Sequence, residues 1–202
     1  MSKPPRIEVV GGYYHANTKA VDDTQIFRDE VDRLAFLQLL EKVLQRTGWA
    51  LLEYTVMSTH YHLVVRLREE TLSRGFQLLN GSYARWFNKR YGRRGTAWSC
   101  RFDSRLLETD GHLREALRYV ARNAPRAGLC ERPEDWPWCS YGATIDGDPP
   151  DQLVDEGELL PLFGAPLPGA RERFRQFVEE PDPRKRRSLR LVGDVSETVR
   201  VT

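Results

Sequence analysis

His60 and His62 flank Tyr61 in the stretch Met57-Ser58-Thr59-His60-Tyr61-His62-Leu63-Val64-Val65-Arg66-Leu67. The alternation predicts a β-strand, on which successive side chains point to opposite faces. Tyr61, Leu63, Val65 and Leu67 then form one apolar face that seeks a core, while His60 and His62 share the other. Two neighbouring imidazoles that can stay neutral are a place for a divalent metal. Tyr119 and Asn123 are four residues apart, which on a helix stacks a phenol and a carboxamide on one flank. Brought against the strand, His60, His62 and Asn123 make a three-ligand site with open positions, a donor set that suits Mg2+ or Mn2+. Phosphate oxygens would take the open positions, and Tyr119 would attack the polarised phosphorus to give a covalent phosphotyrosine. A free phenol, with a pKa of about 10, is a poor nucleophile until deprotonated. Glu115 and His112, four and seven residues before Tyr119, are the base candidates.

Blander readings stand beside this one. A His-x-His pair also serves structural zinc or surface hydrogen bonding, and His15 and Cys100 are available as further zinc ligands. Tyr119 also reads as a half-buried spacer, and Asn123 as a residue before a loop. A hydrolytic metal phosphodiesterase with a purely structural Tyr119 is a further possibility. So is a nucleic-acid-binding module or repressor with no turnover.

The elements that must position these groups follow from periodicity and turn signals. A strand broken by Gly11-Gly12 is predicted over residues 6–16, and a helix over 29–46 that Gly48 ends. A strand over 49–57 turns at Ser58-Thr59 into the His-bearing strand, making an antiparallel hairpin. A second helix over 72–91 carries the stripe Leu72, Phe76, Leu79, Tyr83, Phe87 and Tyr91. Residues 101–108 read as a strand, and Asp110 as the cap of a helix over 111–123 that Pro125 stops. On that helix Leu113, Leu117, Val120 and Ala124 form the buried face, and Arg114, Arg118, Arg122 and Arg126 the wet side. The order β-α-β-β-α-β-α suits an α+β, ferredoxin-like antiparallel sheet with helices packed on it. The texture changes near residue 145, so a domain over 1–145 and a C-terminal extension over 146–202 are expected, the latter partly packed and frayed beyond about residue 180.

With 202 residues and 40% apolar content the chain fits one domain with a real core. Net charge is only +2, but Arg74, Arg85, Lys89, Arg90, Arg93, Arg94, Arg101 and Arg105 face a single acid, Asp103, over the same interval. That local excess points to a polyanion. Three cysteines without Cys-x-x-Cys spacing argue against a disulfide framework and for a reducing compartment. No signal region and no apolar run of roughly 20 residues is present, so no membrane contact and a cytoplasmic location are expected.

Four stretches together resemble the single-tyrosine HUH transposases, and among them the REP-associated tyrosine transposases. They are residues 57–65 around the paired histidines, 101–107, Tyr119 to Leu129, and Trp136-Pro137-Trp138-Cys139-Ser140-Tyr141. The likeness spans about residues 6–145. It implies an RRM-like sheet, metal ligation by His60, His62 and Asn123, and Tyr119 as nucleophile. It also implies cleavage of single-stranded DNA near a hairpin, with a 5′-phosphotyrosine, a free 3′-hydroxyl and strand transfer. Relatives usually carry Pro-Asn where this chain has Ser58-Thr59, Asn-Pro where it has Asn123-Ala124, and an Arg-Gly after the equivalent of Tyr14-His15. None of these departures removes a catalytic group. A basic groove with stacking aromatics suits single strands. The DNA contacts expected are Arg85, Lys89, Arg90, Arg93, Arg94, Arg101, Arg105, Arg118 and Arg122, interleaved with exposed Tyr91 and Trp98 and partly buried Trp86 and Phe102. The resemblance admits either a monomer or a homodimer.

Overall fold

Alternation across residues 60–66 is realised as a strand in the middle of a sheet. The computed structural model describes residues 8–147 and 151–181 and contains one four-stranded antiparallel sheet. Its strands are β1 (Tyr13–Lys19), β2 (Ala50–Val56), β3 (His60–Arg66) and β4 (Asp103–Leu106), in the spatial order β2-β3-β1-β4. Helices α1 (Glu30–Thr47), α2 (Leu72–Arg90) and α3 (Asp110–Ala121) complete the α+β plan. α1 begins and ends where local chemistry says it should: the Asp29 carboxylate accepts from the Asp32 N–H at 3.0 Å, and Gly48 closes the helix at φ 64°.

Register decides which side chains meet. Across the β1–β3 ladder His62 lies opposite Asn17, Val64 opposite His15 and Tyr61 opposite Thr18. Opposed residues of an antiparallel pair share a face. His15, Asn17, His60 and His62 therefore project together, and Ala16, Thr18, Tyr61 and Leu63 project the other way. α1 and α2 cover the second face: the Phe36 ring lies 4.6 Å from that of Tyr61, whose hydroxyl donates to Asn80 Oδ1 at 2.6 Å. The α2 stripe Leu72, Phe76, Leu79, Tyr83 and Phe87 is buried as the spacing predicts. Gly75 lets α2 approach Trp49, since a Cβ there would sit 2.1 Å from the indole.

The histidine-bearing face is covered too, by α3 and by the chain that follows it. All of β2 and the middle five residues of β3 are buried. After α4 (Asn123–Arg126), the chain runs along β2. Val56 N–H donates to the Trp138 carbonyl at 2.8 Å, and Asp155 N–H to that of Leu51 at 2.7 Å. Helices α5 (Ser140–Asp146), α6 (Glu156–Leu159) and α7 (Leu167–Glu179) then close over this side, with Tyr141, Leu159, Phe174 and Val178 in the common core. Residues of α6 and α7 pack into this core; the fraying expected beyond about residue 180 concerns 182–202, outside the described residues.

Several boundaries differ from the sequence reading. The first strand starts at Tyr13 and continues to Lys19, because Val9 to Gly12 close a turn in which Gly12 N–H donates to the Val9 carbonyl at 2.9 Å. Thr109, not Asp110, caps α3: its hydroxyl accepts from His112 N–H at 3.1 Å. α3 ends at Ala121, and Asn123 opens α4, which contains Pro125 instead of stopping before it.

Candidate functional site

β3, the end of α3 and the start of α4 bring the predicted groups together. His60 Nε2 lies 3.4 Å from Asn123 Oδ1, while its Nδ1 is 3.0 Å from the Thr59 hydroxyl. The His60 and His62 rings are 5.1 Å apart. The Tyr119 ring stands edge-on to that of His62 at 5.4 Å, and 40% of the residue remains exposed. A reachable phenol, two imidazoles and an amide oxygen thus converge from segments distant in the chain.

Sequence reasoning left His15 as a spare ligand without a place. The structure puts it inside the site, with Nε2 3.0 Å from His62 Nδ1 and its ring 5.6 Å from Tyr119. The polar alternation Tyr13-His15-Asn17-Lys19 on β1 was the available signal, but it carries no information about which strand lies alongside. Arg126 is also nearer than the sequence implied, with its guanidinium 5.3 Å from the Tyr119 ring centre. Cys100, the other spare zinc ligand, lies on the opposite side of the sheet beside Phe76 and Asn80.

Beside Tyr119 opens a groove of about 340 Å3 lined by His15, Arg105, Leu107, His112, Glu115, Ala116 and Tyr119 itself. Both base candidates line it. The Glu115 carboxylate also accepts from Arg118 Nη1 at 3.1 Å.

Burial keeps the imidazoles neutral. His15, His60 and His62 all have pKa values lowered chiefly by desolvation. His62 falls furthest, because it is the most deeply buried of the three and His15 and His60 add their repulsion. A neutral imidazole is the metal-binding form. Nδ1 of His60 faces the Thr59 hydroxyl and Nδ1 of His62 faces His15, so Nε2 is the nitrogen each ring turns toward a ligand position, that of His60 lying beside the neutral Asn123 oxygen. The set fits a hard or borderline divalent ion, though it is sparse: among the described residues no group of three or more His, Cys, Asp or Glu is arranged to hold a metal ion.

The expected cationic contacts divide. Arg105 lines the groove at Tyr119, and Arg85, Lys89, Arg94 and Arg101 are exposed. Arg101 borders a larger groove of about 700 Å3 on the α2 side. Arg93 lies against the Phe87 ring at 5.5 Å. Others of the set are engaged within the protein. Arg118, expected on the wet side of α3, is 3% exposed: its Nε donates to the Phe177 carbonyl at 2.9 Å and its guanidinium covers the Phe177 ring at 3.8 Å. Arg90 is tied to the carboxylate of Asp29 at 2.7 Å and to that of Asp32. Arg122, half-buried, donates to the Glu180 carbonyl at 3.1 Å. Trp98, expected exposed, is 8% exposed with its indole N–H donating to the Asn80 carbonyl at 2.9 Å. Tyr91 is half-buried, its hydroxyl on Asp32.

The family model described as IS200-like transposase matches residues 8–123. Among solved structures, a REP-associated tyrosine transposase bound to a REP hairpin superposes with TM-score 0.61 at 16% identity, over 72% of this chain and 86% of that one. A candidate transposase from Deinococcus radiodurans R1 aligns with TM-score 0.42 at 20% identity, over 60% and 97%. The tRNA(His) guanylyltransferase of Saccharomyces cerevisiae aligns with TM-score 0.43 at 13% identity, over 89% and 85%. No curated protein matches the chain. Among the described residues no helix is long and apolar enough to cross a membrane.

Proposed function

The chain belongs to the IS200-like transposase family, which makes it a DNA-processing enzyme, and we propose that it nicks and rejoins single-stranded DNA beside a hairpin through a 5′-phosphotyrosine. The observation that carries this reading is the meeting of Tyr119 with His62 at 5.4 Å while Asn123 reaches His60 at 3.4 Å. Nucleophile, imidazoles and amide come from one chain, which favours action as a monomer. The catalytic unit is residues 1–145, with the later helices as its support. The hairpin substrate is carried over from the hairpin-bound relative of similar fold.

In this mechanism the Tyr119 oxygen attacks the scissile phosphorus. The new O–P bond forms as the bond from phosphorus to the 3′-oxygen breaks, and that oxygen takes up a proton as a free hydroxyl. The phenol's own proton leaves toward the groove that His112 and Glu115 line. A divalent cation, Mg2+ or Mn2+, held by His60, His62 and Asn123 would polarise the phosphate as a Lewis acid. Attack of a 3′-hydroxyl on the phosphotyrosine reverses the bonds and restores a phosphodiester, so the net reaction is strand transfer. Arg105 and Arg126 flank the phenol, and in this reading they would hold the DNA backbone.

The test is a hairpin-bearing oligonucleotide incubated with protein and Mn2+, then run on a denaturing gel. The parent protein forms a covalent adduct; Tyr119→Phe binds the same DNA and forms none. An adduct that persists in Tyr119→Phe would refute the assignment. Binding without metal-dependent nicking in the parent would favour the non-catalytic module, and nicking without an adduct the hydrolytic phosphodiesterase.

A further inference from the structure

His15 has no part in the chemistry described so far, yet it is the residue in closest polar contact with His62. Its place follows from the ladder. On β1 it sits opposite Val64, two residues along β3 from His62, and on the same face. Diagonal neighbours on paired strands are within reach of long side chains. The rings stack at 5.1 Å with 25° between their planes, and His15 Nε2 meets His62 Nδ1 at 3.0 Å. Tyr119 stands edge-on to both rings, at 5.6 Å and 5.4 Å. Three rings from β1, β3 and α3 therefore touch pairwise, and the nucleophile's ring rests on the imidazole pair.

Two nitrogens facing each other at this distance share one proton. If His15 donates, His62 accepts at Nδ1 and carries its own proton on Nε2, which blocks that atom as a ligand. If His62 donates, its Nε2 lone pair is bare. The choice between these arrangements is the choice between a closed and an open ligand position. Two strand neighbours of His15 bear on it from β4: Asp103 and Arg105, of opposite sign, are the charges that act on its ring. His60 meets no second imidazole at Nδ1, and its Nε2 faces the Asn123 amide oxygen at 3.4 Å. Its Nδ1 faces the Thr59 hydroxyl, which serves as donor or acceptor with equal ease.

We propose that His15 is a positioning residue: it accepts the His62 Nδ1 proton, fixes the tautomer that leaves His62 Nε2 open, and holds that ring against Tyr119. The proposal rests on the functional reading above for its purpose, though not for its geometry. Outer partners of this kind orient metal-binding imidazoles, and their loss typically costs about 10–100-fold in metal affinity or activity. Here the partner is a second imidazole and not a carboxylate, so it fixes the tautomer without adding negative charge to the site.

The experiment compares the parent chain with His15→Phe, which keeps a ring and removes the acceptor, and His15→Gln, which returns an acceptor at similar reach. The first readout is the tautomer of His62 in the metal-free protein, from long-range 1H–15N correlation spectra. The expected result is a proton on His62 Nδ1 in the parent and in His15→Gln, and a mixture in His15→Phe. The second readout is Mn2+ binding followed by electron paramagnetic resonance, expected to weaken about tenfold in His15→Phe and to recover largely in His15→Gln. A parent His62 protonated on Nε2, or a His62 tautomer and Mn2+ affinity unchanged in His15→Phe, overturns the inference. If the tautomers behave as expected but the parent neither binds Mn2+ nor forms an adduct on Tyr119, the functional reading falls and the hydrogen-bond assignment stands.

Discussion

The pH behaviour of the site's residues follows from where they are buried. In the unfolded chain a histidine titrates near pH 6.5, at about 6.5, whereas burial holds His15, His60 and His62 below that. The unfolded state then takes up protons that the fold refuses. The stability tied to these rings is complete above about pH 6.5 and is lost as pH falls toward the lowered values. The melting temperature of the metal-free protein should drop between pH 6.5 and 5, and His62→Gln should flatten that slope; equal slopes in the two proteins would remove His62 as its source. Glu53 works in the other direction. It is 1% exposed on β2, neither carboxylate oxygen has a hydrogen-bond partner, and burial raises its pKa well above the ordinary carboxylate range. A raised carboxyl stabilises below its unfolded pKa, and that contribution is lost as pH rises through the folded value. Glu53→Gln should therefore melt higher than the parent at pH 8, with the gap closing toward pH 5. His60→Ala belongs at this scale too: it should cut nicking by 100-fold or more, on the order of a lost metal ligand, with the far-ultraviolet circular dichroism spectrum unchanged.

At the scale of elements, two contacts decide how the site is held. α2 docks on Trp49 through Gly75, where a methyl group would overlap the indole at 2.1 Å. Gly75→Ala should cost about 1–3 kcal/mol in denaturant unfolding, as overpacking does; a neutral result would mean that the indole swings aside. α3 is tied to α7 by Arg118, which is buried and bonded to the Phe177 carbonyl. Arg118→Met removes that donor and should destabilise by about 1–3 kcal/mol while leaving the salt dependence of DNA binding unchanged. Arg105→Ala, at the groove, should do the reverse: stability is kept, and the slope of log affinity against log salt falls by about one unit. Opposite outcomes for the two arginines in salt titrations would exchange their roles.

For the molecule as a whole, the later helices are part of the support of the site. Phe174 and Val178 of α7 are fully buried, and Glu158 of α6 pairs with Arg66 of β3 at 2.7 Å. A chain ending at residue 145 should lose the covering of α3, melt at least several degrees lower and expose apolar surface to dye binding. A truncated protein as stable as the parent would make the extension an independent appendage.

The local plan was legible in the sequence. The pairing of His60 and His62 on one strand face, the apolar stripe of α2, the Asp29 and Gly48 ends of α1 and the β-α-β-β-α-β-α order each follow from side-chain periodicity or from backbone chemistry within a few residues. So did the Tyr119–Asn123 spacing, although the chain breaks between α3 and α4 there. Only the tertiary structure decided that His15, 47 residues before His62, would be its hydrogen-bond partner, that Arg118 would turn from water to α7, and that Arg90 would be consumed by Asp29 and Asp32. The physical reason is the same in each case. Periodicity tells a side chain which way to point along its own element, while strand order, register and the helix laid over a face determine what it finds there.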